Sequence, residues 1–179
     1  MYYNLFNSEI KFEFEKKERA DKNLEILNQI QKYDKNNYKV NYYLGRIYGR
    51  FKNDLKTSKY YFEQALSIDS THIEIYKDLG VVYGMSKEFE KSTQALVKAI
   101  NLDPSDPVLK INLAMTYLQI GKKEEALKVM NDAFSMNYNS GNASTLINLG
   151  HLYENLKIND KANICYIKAK NLNPELFQQ

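Results

Sequence analysis

The sequence predicts an all-α chain, a stack of antiparallel helical hairpins. A seven-residue string recurs four times, as YYLGRIY at 42–48, KDLGVVY at 77–83, INLAMTY at 111–117 and INLGHLY at 147–153. Each copy sets Leu, a small residue and Tyr at the same places: Leu44, Gly45 and Tyr48; Leu79, Gly80 and Tyr83; Leu113, Ala114 and Tyr117; Leu149, Gly150 and Tyr153. A second set of small residues, Ala65, Ala99, Ala133 and Ala169, follows at a nearly fixed interval. Phe62, Leu96, Met130 and Tyr166 stand three residues before these alanines, and Ile68, Leu102, Met136 and Leu172 three after. Self-similarity at a fixed period marks a repeat architecture, and apolar residues three and four apart belong to one face of a helix.

The units run 38–72, 73–106, 107–142 and 143–176. In each, the small residues mark where two helix backbones come close, and the larger ones fill the groove between them. The first unit carries one extra residue near Lys52-Asn53-Asp54. The second closes at Asp103-Pro104, with Ser70, Thr71 and Ser105 offered as N-caps and Pro107 suited to a first turn. In the third, Tyr138 stands where the closing Pro would be, and Ser140-Gly141-Asn142 holds a two-residue expansion. The fourth closes at Asn173-Pro174. Residues 1–36 read as a degenerate N-terminal unit, because Ala20, Leu24, Leu27 and Ile30 repeat the spacing of a second helix over 17–33. Ahead of them Tyr3, Phe6, Ile10 and Phe14 share a helical face, while Ile10, Phe12 and Phe14 alternate with charges as in a strand. Helix is the expected form, since a lone strand would leave an unpaired edge. The five units predict a single domain over 1–179.

A period of roughly 34 residues with Leu-small-x-x-Tyr in one helix, Phe-x-x-Ala in the next and Pro at the end resembles the tetratricopeptide repeat. The second unit is the best match by this pattern, with Leu79, Gly80, Tyr83, Ala99 and Pro104 all in place; Pro174 closes the fourth in the same way. The resemblance implies a right-handed α-solenoid, a superhelix in which the first helices of successive units line a concave groove. Carried over by position, that groove takes Lys39, Tyr42, Arg46 and Arg50 from the first unit, and Glu74, Lys77, Val81 and Met85 from the second. The third adds Ile111, Met115 and Gln119, the fourth Ile147, His151 and Asn155. One end is thus basic and aromatic, the middle apolar. The competing reading is that neighbouring helices already cover Val81, Met115 and Ile147.

Some members of the family hold an acidic chaperone C-terminus through a two-carboxylate clamp of Lys, Asn, Asn, Lys and Arg. The corresponding positions here are Tyr42, Arg46, Asp78, Val108 and Asn112, and a shift of one unit matches only Lys77 and Asn112, so the clamp is not claimed.

Composition narrows the function. A net charge of +3 is too small for a nucleic-acid footprint. No apolar run reaches the roughly 18 residues of a membrane span, and Asn4, Asn7 and Glu9 interrupt the opening apolar residues, so the expectation is a soluble cytoplasmic protein without membrane attachment. The single cysteine, Cys165, reads as a packed free thiol. His72 and His151 lack metal-site spacing, no glycine loop for phosphate is present, and Glu124-Glu125 suit a helix start. Neither cofactor, metal nor catalytic residue is expected, and the chain reads as no enzyme. The leading expectation is an interaction module that receives an extended peptide or short helix of a protein partner. The alternative is a structural protein that self-associates through its C-terminal end, where Leu176 and Phe177 follow Pro174. A regulatory subunit of an enzyme is the third reading.

Overall fold

The computed structural model describes residues 19–177, and the expectations for the chain ahead of them lie outside the described residues. Nine α-helices and no strand occur among those residues. They are α1 Ala20–Tyr33, α2 Tyr38–Arg50, α3 Leu55–Ile68, α4 Ile73–Met85, α5 Phe89–Leu102, α6 Pro107–Gln119, α7 Lys123–Ser140, α8 Ala143–Asn155 and α9 Asn159–Leu172, followed by a 3-10 turn Pro174–Phe177. The chain divides into two compact units between Ser86 and Lys87, so α1 to α4 belong to the first and α5 to α9 to the second.

In the first unit α1 packs on α2, α2 on α3 and α3 on α4, with α2 also meeting α4. Leu27, Val40, Leu44 and Ile47 are buried between α1 and α2, so Ala20–Tyr33 is a helix whose apolar face packs on the first unit, while the partner helix expected ahead of it lies outside the described residues. In the second unit α6 pairs with α7 and α8 with α9. Ala114, Ala126, Met130, Ala133, Leu149, Tyr153, Ala162 and Cys165 form one continuous buried cluster there. The repeated small residues are therefore contact points. A Cβ on Gly45 would come within 2.7 Å of the Phe62 ring, and one on Gly150 within 2.4 Å of Cε1 of Tyr166.

The turns after α2, α6 and α8 are stereotyped. Asn53, Gly121 and Lys157, at equivalent places, all have positive φ, as does Lys87 after α4. After α8, the Ile158 N–H donates to the Tyr153 carbonyl and the Lys157 N–H to that of Glu154, at 2.9 and 2.8 Å; after α6, Lys122 and Gly121 donate to Tyr117 and Leu118 in the same way. This is a Schellman closure, and the repeat tyrosine supplies its outer carbonyl. In the first hairpin the matching bond runs from Asp54 to Tyr48 and spans one residue more, which is where the extra residue goes.

Two local expectations are corrected. Ser70, Thr71 and Ser105 do not cap the following helices: Thr71 and Ser105 donate their hydroxyls to Asp69 and Asp103, closing tight turns. The N-caps are His72, without a side-chain cap bond, and Asp106, whose carboxylate accepts from the Val108 N–H. Pro107 opens α6 as expected. The expansion at 140–142 is taken up by a longer helix: α7 runs 18 residues, continuing through Tyr138 to Ser140. The helix stops where Asn137 and Asn142 exchange hydrogen bonds, and a Cβ on Gly141 would meet the Asn137 carbonyl at 2.2 Å.

Candidate functional site

Gly45 and Gly49 lie one turn apart on α2 and leave its surface bare. On α3, Ser58 fills part of this space: its hydroxyl donates to the Gly45 carbonyl at 2.7 Å, and a Cβ on Gly49 would lie 2.8 Å from the same oxygen. The close approach of α3 leaves a cleft toward α4. Its walls are Gly45, Arg46, Gly49 and Arg50 from α2, Leu55, Ser58 and Phe62 from α3, and Asp78, Val81, Val82 and Met85 from α4, with Asn53 at the turn. The cleft holds about 390 Å³, within the range of small-ligand and side-chain pockets.

The charges are arranged around an apolar floor. Arg46 Nε lies 3.5 Å from Asp78 Oδ2, the two side chains being 29% and 31% exposed. The Arg46 guanidinium also lies 5.7 Å from the Tyr42 ring centroid, and that ring packs at 6.0 Å against Phe62. The Tyr42 hydroxyl donates to Asp78. Burial pushes the Asp78 carboxyl above its ordinary range, while Arg46 and the Tyr42 hydrogen bond pull it back. Burial first, and the Asp78 charge second, drive the Tyr42 phenol well above its own ordinary value. Arg50 differs from Arg46: it is exposed, its guanidinium rests 5.8 Å from the Phe51 ring, and no described carboxylate pairs with it. Met85 is 57% exposed and Val81 is also open to solvent.

Four of the residues singled out from sequence, Arg46, Arg50, Val81 and Met85, thus come together in one cleft. Tyr42 supports it from the next turn, and Lys77 adds its charge beside Asp78. Lys39 sits in the first turn of α2, its N–H bonded to the Asn37 cap. In the second unit Met115, Gln119 and His151 are exposed and Ile147 is half-buried. Ile111 requires correction: it is 3% exposed and belongs to the buried cluster, because its side of α6 faces the core. His151 shares the Tyr166 hydroxyl, 3.0 Å from its Nδ1, with Glu154. Asp78 and Phe62 were not among the expected groove residues; the Gly45-x-x-x-Gly49 spacing was the available signal for a bare patch on α2.

Elsewhere, Cys165 is buried and burial pushes its thiol up to about 11, Lys161 opposing the shift. Among the described residues no His, Cys, Asp and Glu cluster could hold a metal ion, and no helix is long and apolar enough to cross a membrane.

The tetratricopeptide repeat family matches residues 38–72, 109–140 and 143–176, more than half of the chain. The protein belongs to that family. The unit at 73–106, the best match by its signature residues, falls between the matched segments. The chain is 30% identical over 117 residues to the anaphase-promoting complex subunit CDC16 of Saccharomyces cerevisiae, covering 62% of this chain but 14% of that subunit. Among solved structures it is similar to PilF of Pseudomonas aeruginosa, with a TM-score of 0.75 at 17% identity over 95% of this chain and 74% of that one. It is also similar to MamA, with a TM-score of 0.72 at 21% identity over 95% and 88% of the two chains. YrrB, described as a tetratricopeptide repeat protein with an unusual peptide-binding site, gives 0.68 at 22% identity over 96% and 83%. These likenesses establish an all-α fold of the tetratricopeptide repeat class.

Proposed function

We propose that this protein is a non-catalytic interaction module that receives an extended peptide or short helix of a protein partner in the cleft between α2, α3 and α4. The observation that carries the reading is the cleft itself, with an open apolar wall of Val81 and Met85 beside a charged rim of Arg46, Asp78 and Arg50. An apolar strip open to water gains free energy when a partner covers it, and a methionine adapts to irregular surfaces. Peptide binding by YrrB, a structural relative, supports the class of ligand. On the second unit, Met115, Gln119, Ile147 and His151 are the corresponding partner-facing candidates, and the whole chain acts as one such domain. The test is affinity capture with the parent protein and with Met85→Glu, each first shown to be folded by circular dichroism. Proteins retained by the parent and lost by the variant support the reading; identical retention refutes the cleft.

A second reading has its own observation. Ile164, Ile167, Leu172, Leu176 and Phe177 are all exposed on α9 and the following turn, and Ile164, Ile167 and Leu172 border a shallow groove of about 370 Å³. Self-association through this face would cover them. Sedimentation of the parent and of the double variant Leu176→Ser with Phe177→Ser distinguishes the cases: an oligomer that becomes a monomer supports it, and a parent that is monomeric at high concentration removes it.

A further inference from the structure

Within the cleft the two arginines are not equivalent. Arg46 is held by Asp78 at 3.5 Å and lies over Tyr42, so its charge is matched inside the protein. Arg50, one turn along α2, stands exposed at the open edge, its guanidinium 5.8 Å from the Phe51 ring centroid and paired with no carboxylate of the described residues. Met85 and Val81 line the wall of the same cleft. Among the described residues that line the cleft, Arg50 is thus the cation left to a ligand, next to an apolar recess. Resting on the peptide-binding reading above, we infer that the cleft selects a segment carrying one carboxylate side chain immediately beside one apolar side chain, the carboxylate meeting Arg50 and the apolar group entering between Val81, Met85 and Leu55.

Charge complementarity decides against the other chemistries. A basic segment would have to displace Arg46 from Asp78 and would sit beside Arg50. A doubly charged phosphate would meet one available guanidinium and stay half-neutralised, because Arg46 is engaged by Asp78. A single carboxylate needs neither rearrangement, and an Arg guanidinium offers it two parallel N–H donors.

The probes are the short peptides Ac-Gly-Ser-Asp-Leu-Ser-Gly-NH2 and its counterparts with Asn or Lys in place of Asp, or Ser in place of Leu. Binding to the full chain is followed by amide chemical shifts of α2 and α4 at low and high ionic strength. The Asp-Leu peptide should bind roughly two- to fivefold better than Asn-Leu at low salt, as for an exposed ion pair, and the gap should narrow at high salt. Arg50→Gln should remove that preference, bringing Asp-Leu binding to the level of Asn-Leu in the same variant, and the Asp-Ser peptide should bind more weakly than Asp-Leu. Equal binding of Asp-Leu and Asn-Leu, or a preference for Lys-Leu, overturns the assigned chemistry while the module reading stands. Absence of shifts around the cleft with every peptide overturns both.

Discussion

The Asp78 carboxylate lies 3.5 Å from Arg46 and accepts a hydrogen bond from the Tyr42 hydroxyl, so one acid on α4 fixes two side chains of α2. The geometry joins neighbouring repeats at the edge of the cleft. Because the pair is about one-third exposed, its contribution is that of a surface ion pair, on the order of 1 kcal/mol or less.

The pH dependence of that acid follows from burial. The folded Asp78 carboxyl titrates above its ordinary value of 3.8, so its favourable contribution is complete below that value and is lost as pH rises through the folded pKa. Asp78→Asn removes this dependence. The melting temperature of the variant, relative to the parent, should therefore rise as pH increases from roughly 3 to 7. A relative stability that falls over that window would mean that Arg46 and Tyr42 outweigh burial.

Gly150 and Tyr166 test the packing of the hairpins. A Cβ on Gly150 would meet the Tyr166 ring at 2.4 Å, too close for both to keep their places. Alanine is the better helix former by about 1 kcal/mol, so Gly150→Ala sets propensity against overpacking of about 1 to 3 kcal/mol. The variant should be less stable than the parent in urea denaturation. In a Tyr166→Ala background the same change should become neutral or stabilising, because the ring is gone. A loss of equal size in both backgrounds would show that the two residues do not meet.

Lys157 closes α8 in the left-handed conformation, with φ of 59°, where its counterpart after α6 is Gly121. A side chain costs about 1 kcal/mol or somewhat more there. Lys157→Gly should raise stability by about 1 kcal/mol, read from the denaturant midpoint. A decrease would mean that the lysine side chain supports the turn by more than the backbone strain it imposes.

The helices were legible because their evidence is local. Apolar residues at helical spacing and small residues at a fixed period leave few alternatives, and α2 to α9 follow from them. The caps were less legible, since Asp69 and Asp103 compete for the hydroxyls of Thr71 and Ser105, and hydroxyl residues near a helix start do not reveal which backbone group they serve. Ile111 was misplaced because a position carried over from one repeat to the next does not tell what the following helices cover, and here the residue is buried in one cluster with Leu149 and its neighbours. The cleft was half legible. Its α2 and α4 residues share repeat positions, but Asp78 enters through a contact between helices 32 positions apart in the chain, and no local pattern encodes such a contact.

Whether partners bind at the α2–α4 cleft is decided by site-specific photo-crosslinking in cells. A benzophenone side chain is placed at Met85, which is 57% exposed in the cleft, and separately at Tyr33, which is 92% exposed at the end of α1. Crosslinked products are resolved by mass spectrometry. A discrete partner adduct should form from position 85, be abolished by Val81→Glu, and be missing at that mass from position 33. The same adduct from position 33 with none from position 85 would contradict binding at the cleft.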